Sequence, residues 1–343
     1  MKKIIFIITL LSLLGLSRQA QAQFDTQLSH YWATPNYFNP AYAGQTNNLN
    51  VSALYRMQWI GIDGAPKNTL VLAEMPLNFL DRRWGVGITM NNESIGLFSN
   101  NVISAQLAWK KTLGKGTLGI GLQAGLLSSS FDGSKIYIPN DNDYHNPQDE
   151  AAPGSKVSDN TVDMGLGIFF STKKLYLGLS ATHLVTPDIT FNDKYSYEIP
   201  RSYYFLAGYN IKLKNSLIEL HPSILIKAVE PSSFEVKNDT LQINNTDKGS
   251  YFDALLEQAQ IDVTLRASYN KKFWVGASWR KDDAAIFMIG ANIKGVNVGY
   301  SFDYPLNSLK SDSYGSHELY LRYSIEMSKK KTRKNKHKSI RIL

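Results

Sequence analysis

Between residue 49 and residue 327 the chain is a succession of short segments in which apolar and polar residues alternate, and a period of two admits few folds. In 317–327, Leu319, Leu321, Tyr323, Ile325 and Met327 fall on one side; Glu318, Tyr320, Arg322, Ser324 and Glu326 fall on the other. Successive side chains of a strand point to opposite faces, so such a segment is oily on one side and ionic on the other. Val51, Ala53, Tyr55, Met57 and Trp59 oppose Ser52, Arg56 and Gln58 in the same way. Ile261, Val263, Leu265 and Ala267 oppose Asp262, Thr264, Arg266 and Ser268, and Val296, Val298, Tyr300 and Phe302 oppose Asn297, Ser301 and Asp303.

About fourteen such segments lie near 49–59, 68–77, 84–92, 100–111, 116–127, 161–170, 174–184, 202–212, 217–228, 259–270, 272–281, 284–294, 295–304 and 317–327. An even count is what an outer-membrane barrel requires. A soluble sandwich or propeller also alternates, but it buries its apolar face in a packed core. Here the polar face carries many charges. Trp59, Trp109, Phe170, Tyr269, Trp279 and Phe302 sit near segment ends on the apolar face, where interfacial girdles belong. The predicted fold is all-β: a transmembrane antiparallel β-barrel of about fourteen strands, apolar side out.

The N-terminus reads as an export signal. Lys2 and Lys3 precede an apolar run, Ile4 to Leu16, too short to span a bilayer as a helix, and Ala20-Gln21-Ala22 is a small-x-small cleavage site. The expected organisation is a signal peptide at 1–22, a leader at 23–48, a barrel at 49–327 and a tail at 328–343. There is no cysteine, which excludes disulfides, thiolate chemistry and Cys-based zinc sites. The net charge of +8 is not a nucleic-acid signature. Lys329, Lys330, Lys331, Arg333, Lys334, Lys336, Lys338 and Arg341 crowd the tail, and Lys2, Lys3 and Arg18 the signal; taking those eight and three away leaves −3 for the body.

The connections carry a second regularity. Those after even-numbered segments are tight, as at Leu113-Gly114-Lys115-Gly116 and Ile293-Lys294-Gly295; the long ones, near 128–160, 185–201, 229–258 and 305–316, all follow odd-numbered segments. Short turns face the periplasm and long loops face outward, which places both termini, and the basic tail, on the periplasmic side of the outer membrane. The inward face then gathers Arg56, Lys110, Lys227, Arg266, Arg280 and Arg322 with Asp163, Glu219, Asp262, Asp303, Glu318 and Glu326. So balanced a set suggests ion-pair ladders in a blocked lumen; the alternative is a wet lumen of solvated charges. The aromatic-rich stretch from Gln23 to Gly44, with Phe24, Tyr31, Trp32, Tyr37, Phe38 and Tyr42, reads as the plug, against a plain lead-in turn.

Two separated blocks carry a family resemblance. Asn39-Pro40-Ala41-Tyr42-Ala43-Gly44, then Arg56-x-Gln58-Trp59 and Gly64-Ala65-Pro66-Lys67-x-Thr69, resemble the start of PorP/SprF proteins; Ser301-Phe302-Asp303-Tyr304 with Gly315-Ser316-His317-Glu318-Leu319 resembles their closing segment. The usual Gln-Asp-Pro opening is reduced here to Gln23-Phe24-Asp25. The resemblance implies an outer-membrane component of the type IX secretion and gliding apparatus of Bacteroidetes. It further implies adhesin-like cargo and a periplasmic peptidoglycan-binding partner with an OmpA-like domain. It supplies no catalytic residues.

Chemistry is sparse elsewhere. The histidines His30, His145, His183, His221, His317 and His337 lack metal-binding spacing, and no Gly-x-Ser-x-Gly elbow or Walker loop occurs. His221 and Ser223 share a strand face, but a luminal one, unsuited to a lipase. Asp141, Asp143, Asp149 and Glu150 lack the EF-hand glycine and read as solvated loop carboxylates. The expectation is a non-enzymatic barrel scaffold in contact with outer-membrane lipid, cargo and the periplasmic partner, with neither cofactor nor nucleic acid. The alternative is a transport channel for a hydrophobic or small solute. For the tail, docking of Lys329, Lys330, Lys331, Arg333, Lys334, Lys336 and Lys338 on a partner or an anionic surface stands against idle disorder.

Overall fold

A computed structural model describes residues 25–136, 154–191, 195–214, 217–230, 233–237, 240–244, 255 and 258–327. The export signal, the basic tail and the loop carboxylates Asp141, Asp143, Asp149 and Glu150 lie outside the described residues.

The strands, in chain order, are β1 (Asn48–Met57), β2 (Lys67–Phe79), β3 (Arg82–Ile95), β4 (Phe98–Leu113), β5 (Gly116–Asp132), β6 (Lys156–Ser171), β7 (Leu175–Thr182), β8 (Asp188–Phe191), β9 (Tyr195–Glu198), β10 (Ser202–Tyr209) and β11 (Ile211–Lys212). There follow β12 (Ile218–Val229), β13 (Ser233–Lys237), β14 (Thr240–Asn244), β15 (Gln260–Tyr269), β16 (Phe273–Arg280), β17 (Ala284–Ile293), β18 (Val296–Pro305) and β19 (Ser316–Glu326). All pairings are antiparallel; the hairpins β8–β9 and β13–β14 form two small sheets of their own, and with these set aside successive strands of the main sheet pair in chain order. β11 resumes the course of β10 past Asn210, and both pair with β12, so they form one stave. β1 then pairs with β19 from Asn48↔Glu326 to Met57↔His317, which closes a barrel of fourteen staves and leaves no edge.

The alternation read from the sequence is the alternation of the wall. Along β1, Asn50, Ser52, Leu54 and Arg56 are buried inside, while Val51, Ala53 and Tyr55 are exposed outside. Along β19, Glu318 and Tyr320 are buried and Leu319, Leu321, Tyr323 and Ile325 are exposed. Strands β4, β5 and β6 run to 16, 17 and 16 residues, more than the roughly 9–11 that span a bilayer, so this side of the wall extends past the membrane. Tight turns such as Leu80-Asp81, Gly114-Lys115 and Lys294-Gly295 share the mouth where β1 begins and β19 ends. At the other mouth β8–β9 folds inward: Ile189, Phe191 and Ile199 pack on Leu127, with Val102, Phe131, Val157 and Tyr197 around them.

Leu265 faces outward halfway along β15, between inward Thr264 and Arg266. Placing a charge there exposes it to acyl chains. Leu265→Arg is expected to lower unfolding stability in lipid vesicles by about 2–4 kcal/mol. Denaturant titration of the folded barrel measures it, with inward Thr264→Ser as the low-cost control.

Candidate functional site: the filled lumen

The lumen is occupied by the protein's own N-terminal segment. From Thr46, beside the start of β1, the chain traced backward climbs through the barrel to Asp25 in the opposite half. Three short helical turns, Tyr31–Ala33, Pro35–Phe38 and Pro40–Tyr42, make it compact. Pro35 and Pro40 each occupy an opening helical position, where a missing N–H costs nothing. The Asn39 side chain caps the third turn by accepting from Ala41 N–H at 2.9 Å.

Close approach of this segment to the wall needs glycine. At Gly85 a methyl group would overlap the Ala43 carbonyl, and at Gly121 it would overlap the backbone of Pro40 and Ala41. Asn39 Nδ2 reaches the wall backbone, donating to the carbonyls of Ile168 (3.0 Å) and Leu179 (3.1 Å). Ser180 Oγ donates to the Phe38 carbonyl at 2.7 Å, and Gln106 Nε2 to the Asn36 carbonyl at 2.6 Å. Lys110 Nζ donates to the Ala41 carbonyl and, at 3.0 Å, to Gln45 Oε1. Arg83 donates to the carbonyls of Gly44, Gln45 and Thr46, and Gly44 N–H donates to Glu74 at 2.6 Å.

The remaining contact is apolar. Leu28, Tyr31, Ala33, Phe38 and Ala41 form one cluster with the inward Leu54, Leu70, Leu72, Phe169, Tyr204, Leu206, Leu225 and Tyr320. Tyr31 and Phe38 are 1% and 2% exposed, each worth about 1.5–3 kcal/mol of burial.

Near the outer mouth the charges converge on the plug. Arg56 donates to Asp303 at 2.8 Å, to Glu318 at 3.2 Å and to Ser29 Oγ at 2.9 Å. Glu318 also accepts the backbone N–H groups of Ser29 (2.9 Å) and His30 (2.7 Å) and His30 Nδ1–H (2.6 Å). Arg280 donates to Asp262 at 2.6 Å and to Asp303 at 3.3 Å, and Asp303 accepts from Ser29 Oγ. Arg56, Asp303, Glu318 and Arg280 are all at most 2% exposed. Such charges are stable only because each has an opposite partner and further hydrogen bonds.

A second knot holds Asp25. His183 bridges it at 2.9 Å to Asp163 at 3.0 Å, Tyr204 O–H donates to it at 2.6 Å, and Lys227 donates to its carbonyl at 2.6 Å. Burial alone would raise the Asp25 pKa; His183 and Lys227 more than reverse this and hold the carboxyl well below the usual carboxylate range. For His183 burial pulls the pKa down, and Asp25 and Asp163 lift it well above the ordinary histidine value.

The two motif blocks meet at the barrel seam. Arg56 and Glu318 are directly opposite in the β1–β19 register, as are Met57 and His317. Beyond the strands, Trp59 N–H donates to Ser316 Oγ at 3.1 Å and Ile60 N–H to the Gly315 carbonyl at 2.9 Å. Gln58 N–H donates to the Pro66 carbonyl at 2.9 Å, and the Gly64 carbonyl accepts from Gly96 N–H at 2.8 Å. His317 instead points outward, within 2.6 Å of Tyr300 O–H. Asn39 to Gly44 lie inside, against β3 to β7. Of the acids assigned inward from sequence, Glu219 and Glu326 stand apart from these networks, with Glu326 exposed at the periplasmic rim. The luminal leucines were overlooked in the sequence reading. Their signal is an apolar residue on the ionic parity, as at Leu54, Leu70, Leu72, Leu206 and Leu225, which denotes packing against a solid filling.

Comparison with known proteins agrees with this geometry. The family described as type IX secretion system membrane protein PorP/SprF matches residues 20–323. No curated protein sequence matches the chain. The toluene transporter TodX of Pseudomonas putida is 11% identical with a TM-score of 0.50, over 86% of this chain and 93% of that one. The translocator domain of the autotransporter NalP from Neisseria meningitidis is 12% identical with a TM-score of 0.44, over 87% and 94%. At such identities the likeness to TodX is one of fold alone.

Arg56→Ala leaves Asp303 and Glu318 short of a cation and is expected to cost about 3–5 kcal/mol in denaturant titration, whereas a surface change such as Lys115→Ala costs under about 0.5 kcal/mol. The Asp25–His183 pair gives a pH profile. A raised histidine contributes fully below its ordinary 6.5 and progressively less as pH rises toward its folded pKa. A depressed carboxylate contributes above its ordinary 3.8 and loses that as acid protonates the folded form. Plug anchoring, followed by fluorine NMR of fluorotryptophan at Trp32, is expected to be flat between those values and to weaken on either side. His183→Gln should abolish the alkaline limb.

Proposed function

The chain belongs to the PorP/SprF family of type IX secretion system membrane proteins, and on that premise we propose that it acts as a closed, non-conducting scaffold rather than as a conduit. Membership makes it a non-catalytic outer-membrane component of the type IX secretion and gliding machinery, with its barrel ends at the periplasmic face. The observation that carries the scaffold reading is the plug. Its apolar cluster and its buried ion pairs join all sides of the lumen, as a packed core does.

In this reading the outer loops meet adhesin-like cargo and the periplasmic end meets the machinery, including a peptidoglycan-binding partner with an OmpA-like domain. The tail cations Lys329, Lys330, Lys331, Arg333, Lys334, Lys336 and Lys338 add salt-sensitive affinity on that side. The channel alternative needs the lumen emptied, at the expense of every contact described above.

In planar bilayers the protein is expected to give no stable open state, and a persistent conductance would favour the channel. Gentle detergent extraction of the native envelope followed by mass spectrometry should recover export components or adhesins with the protein. Their absence would remove the secretion scaffold. Removing 329–343 should weaken recovery of the periplasmic partner, most clearly at low salt, and unchanged recovery there would dismiss the tail's part.

A further inference from the structure

The periplasmic mouth of this protein is predominantly basic. Each of the six tight turns at the periplasmic mouth carries or adjoins an exposed cation: Arg82, Lys115, Lys174, Lys214, Lys272 and Lys294. None of the six cationic side chains forms an ion pair or hydrogen bond with another described residue. Against them that rim sets Asp81, Glu219 and Glu326.

The same sign continues inward. Arg266 and Arg322 lie in the periplasmic half of the lumen, on the inner face of β15 and β19. Arg266 is part-exposed and stacks 3.9 Å from the Trp32 ring centre, with no carboxylate or hydrogen-bond acceptor among the described residues. Arg322 meets Glu74 at 3.5 Å and donates to the Ala33 carbonyl at 3.4 Å, and its buried Nε has no hydrogen-bond partner among the described residues. Beside Arg322 a vestibule opens to the periplasm between Asn48, Asn292, Asn297, Ser324 and Glu326. Its inner end abuts Trp274, whose indole N–H donates to Asn297 at 3.2 Å. The Trp32 and Tyr320 side chains nearby are packed on Trp274 or on each other, and the Trp32 indole N–H is buried without a hydrogen-bond partner among the described residues.

We infer that the periplasmic mouth is a docking site for an acidic polypeptide segment, which the basic turns attract and the vestibule seats. This rests on the scaffold reading above and gives the periplasmic partner its chemistry. A ring of exposed lysines by itself would suit anionic lipid headgroups equally well. Arg266 and Arg322 decide between the two, because they stand inside the wall, where lipid around the barrel cannot reach. The chain's own tail, which follows β19 at this mouth, carries eight cations and no acid, so it is not the occupant. The guanidinium groups of Arg266 and Arg322 inside the mouth carry positive charge with multiple N–H donors, and carboxylates are the acceptors that match them. The outer cations serve capture, and the inner ones serve retention.

The test uses full-length protein in phosphatidylcholine nanodiscs with a fluorescein-labelled peptide of alternating Glu and Gly, and a Gln-Gly peptide as control. Anisotropy should show salt-sensitive binding of the Glu-Gly peptide and none of the control. The triple reversal Lys115→Glu, Lys174→Glu, Lys272→Glu, confined to exposed turns, should weaken binding about tenfold, mainly through association. Arg266→Gln should weaken it about tenfold through faster release. Equal binding of both peptides, or binding indifferent to Arg266→Gln in a variant that still folds, overturns the site. So does absence of peptide binding together with selective, lysine-dependent retention of phosphatidylglycerol, which would make the ring a lipid contact. Either failure would leave recovery of export components from the envelope untouched, so the scaffold reading is judged separately.

Discussion

A wall of fourteen antiparallel staves is too wide for its own inward side chains to fill, and its inward face is charged. Buried charge without water or counter-charge is not tolerated, so the interior had to be completed by something. In this protein the completion is the N-terminal segment, and the decisive contact is the Arg56 guanidinium held between Asp303, Glu318 and Ser29. That one group joins the first strand, the last two strands and the plug. Barrel closure, register and lumen filling are consequently one problem with one solution.

The same constraint explains the family motifs. Arg56 and Glu318 come from opposite ends of the sequence and are directly paired across the seam. Asn39 to Gly44 form the stretch that lies closest to the wall, where Gly85 and Gly121 admit backbone against backbone. Both sets fasten the plug to the wall, one at the seam and one against β3 to β7, and no reaction chemistry need be invoked for them. Contact with anything beyond the barrel then falls to its two ends.

Much of the wall was legible in the sequence because a period of two is a strong local signal. Strand parity correctly sorted Val51 from Ser52 and Leu319 from Glu318, and loop parity sorted one mouth from the other. The interior was harder to read. Leu70 and Leu72 sit on the ionic parity, and only the plug supplies the neighbours that account for them. The pairing of His183 with Asp25 and Asp163, from three remote stretches, has no sequence signature, since each is individually unremarkable. Glu326 shares parity with Glu318 but ends at the rim, because parity assigns a face and says nothing of depth.

The leader's course has a consequence for how the molecule can be made. Ser29 and His30 are enclosed by a wall whose last stave supplies Glu318, so the earliest residues of the barrel unit wait for the latest before their amide protons find an acceptor. A sheet that rolled shut with the leader outside would have to readmit it through a mouth and past the glycine-lined wall. Completion of the cylinder and capture of its contents are therefore the same event, and the final hairpin works as a latch that shuts only over a loaded interior.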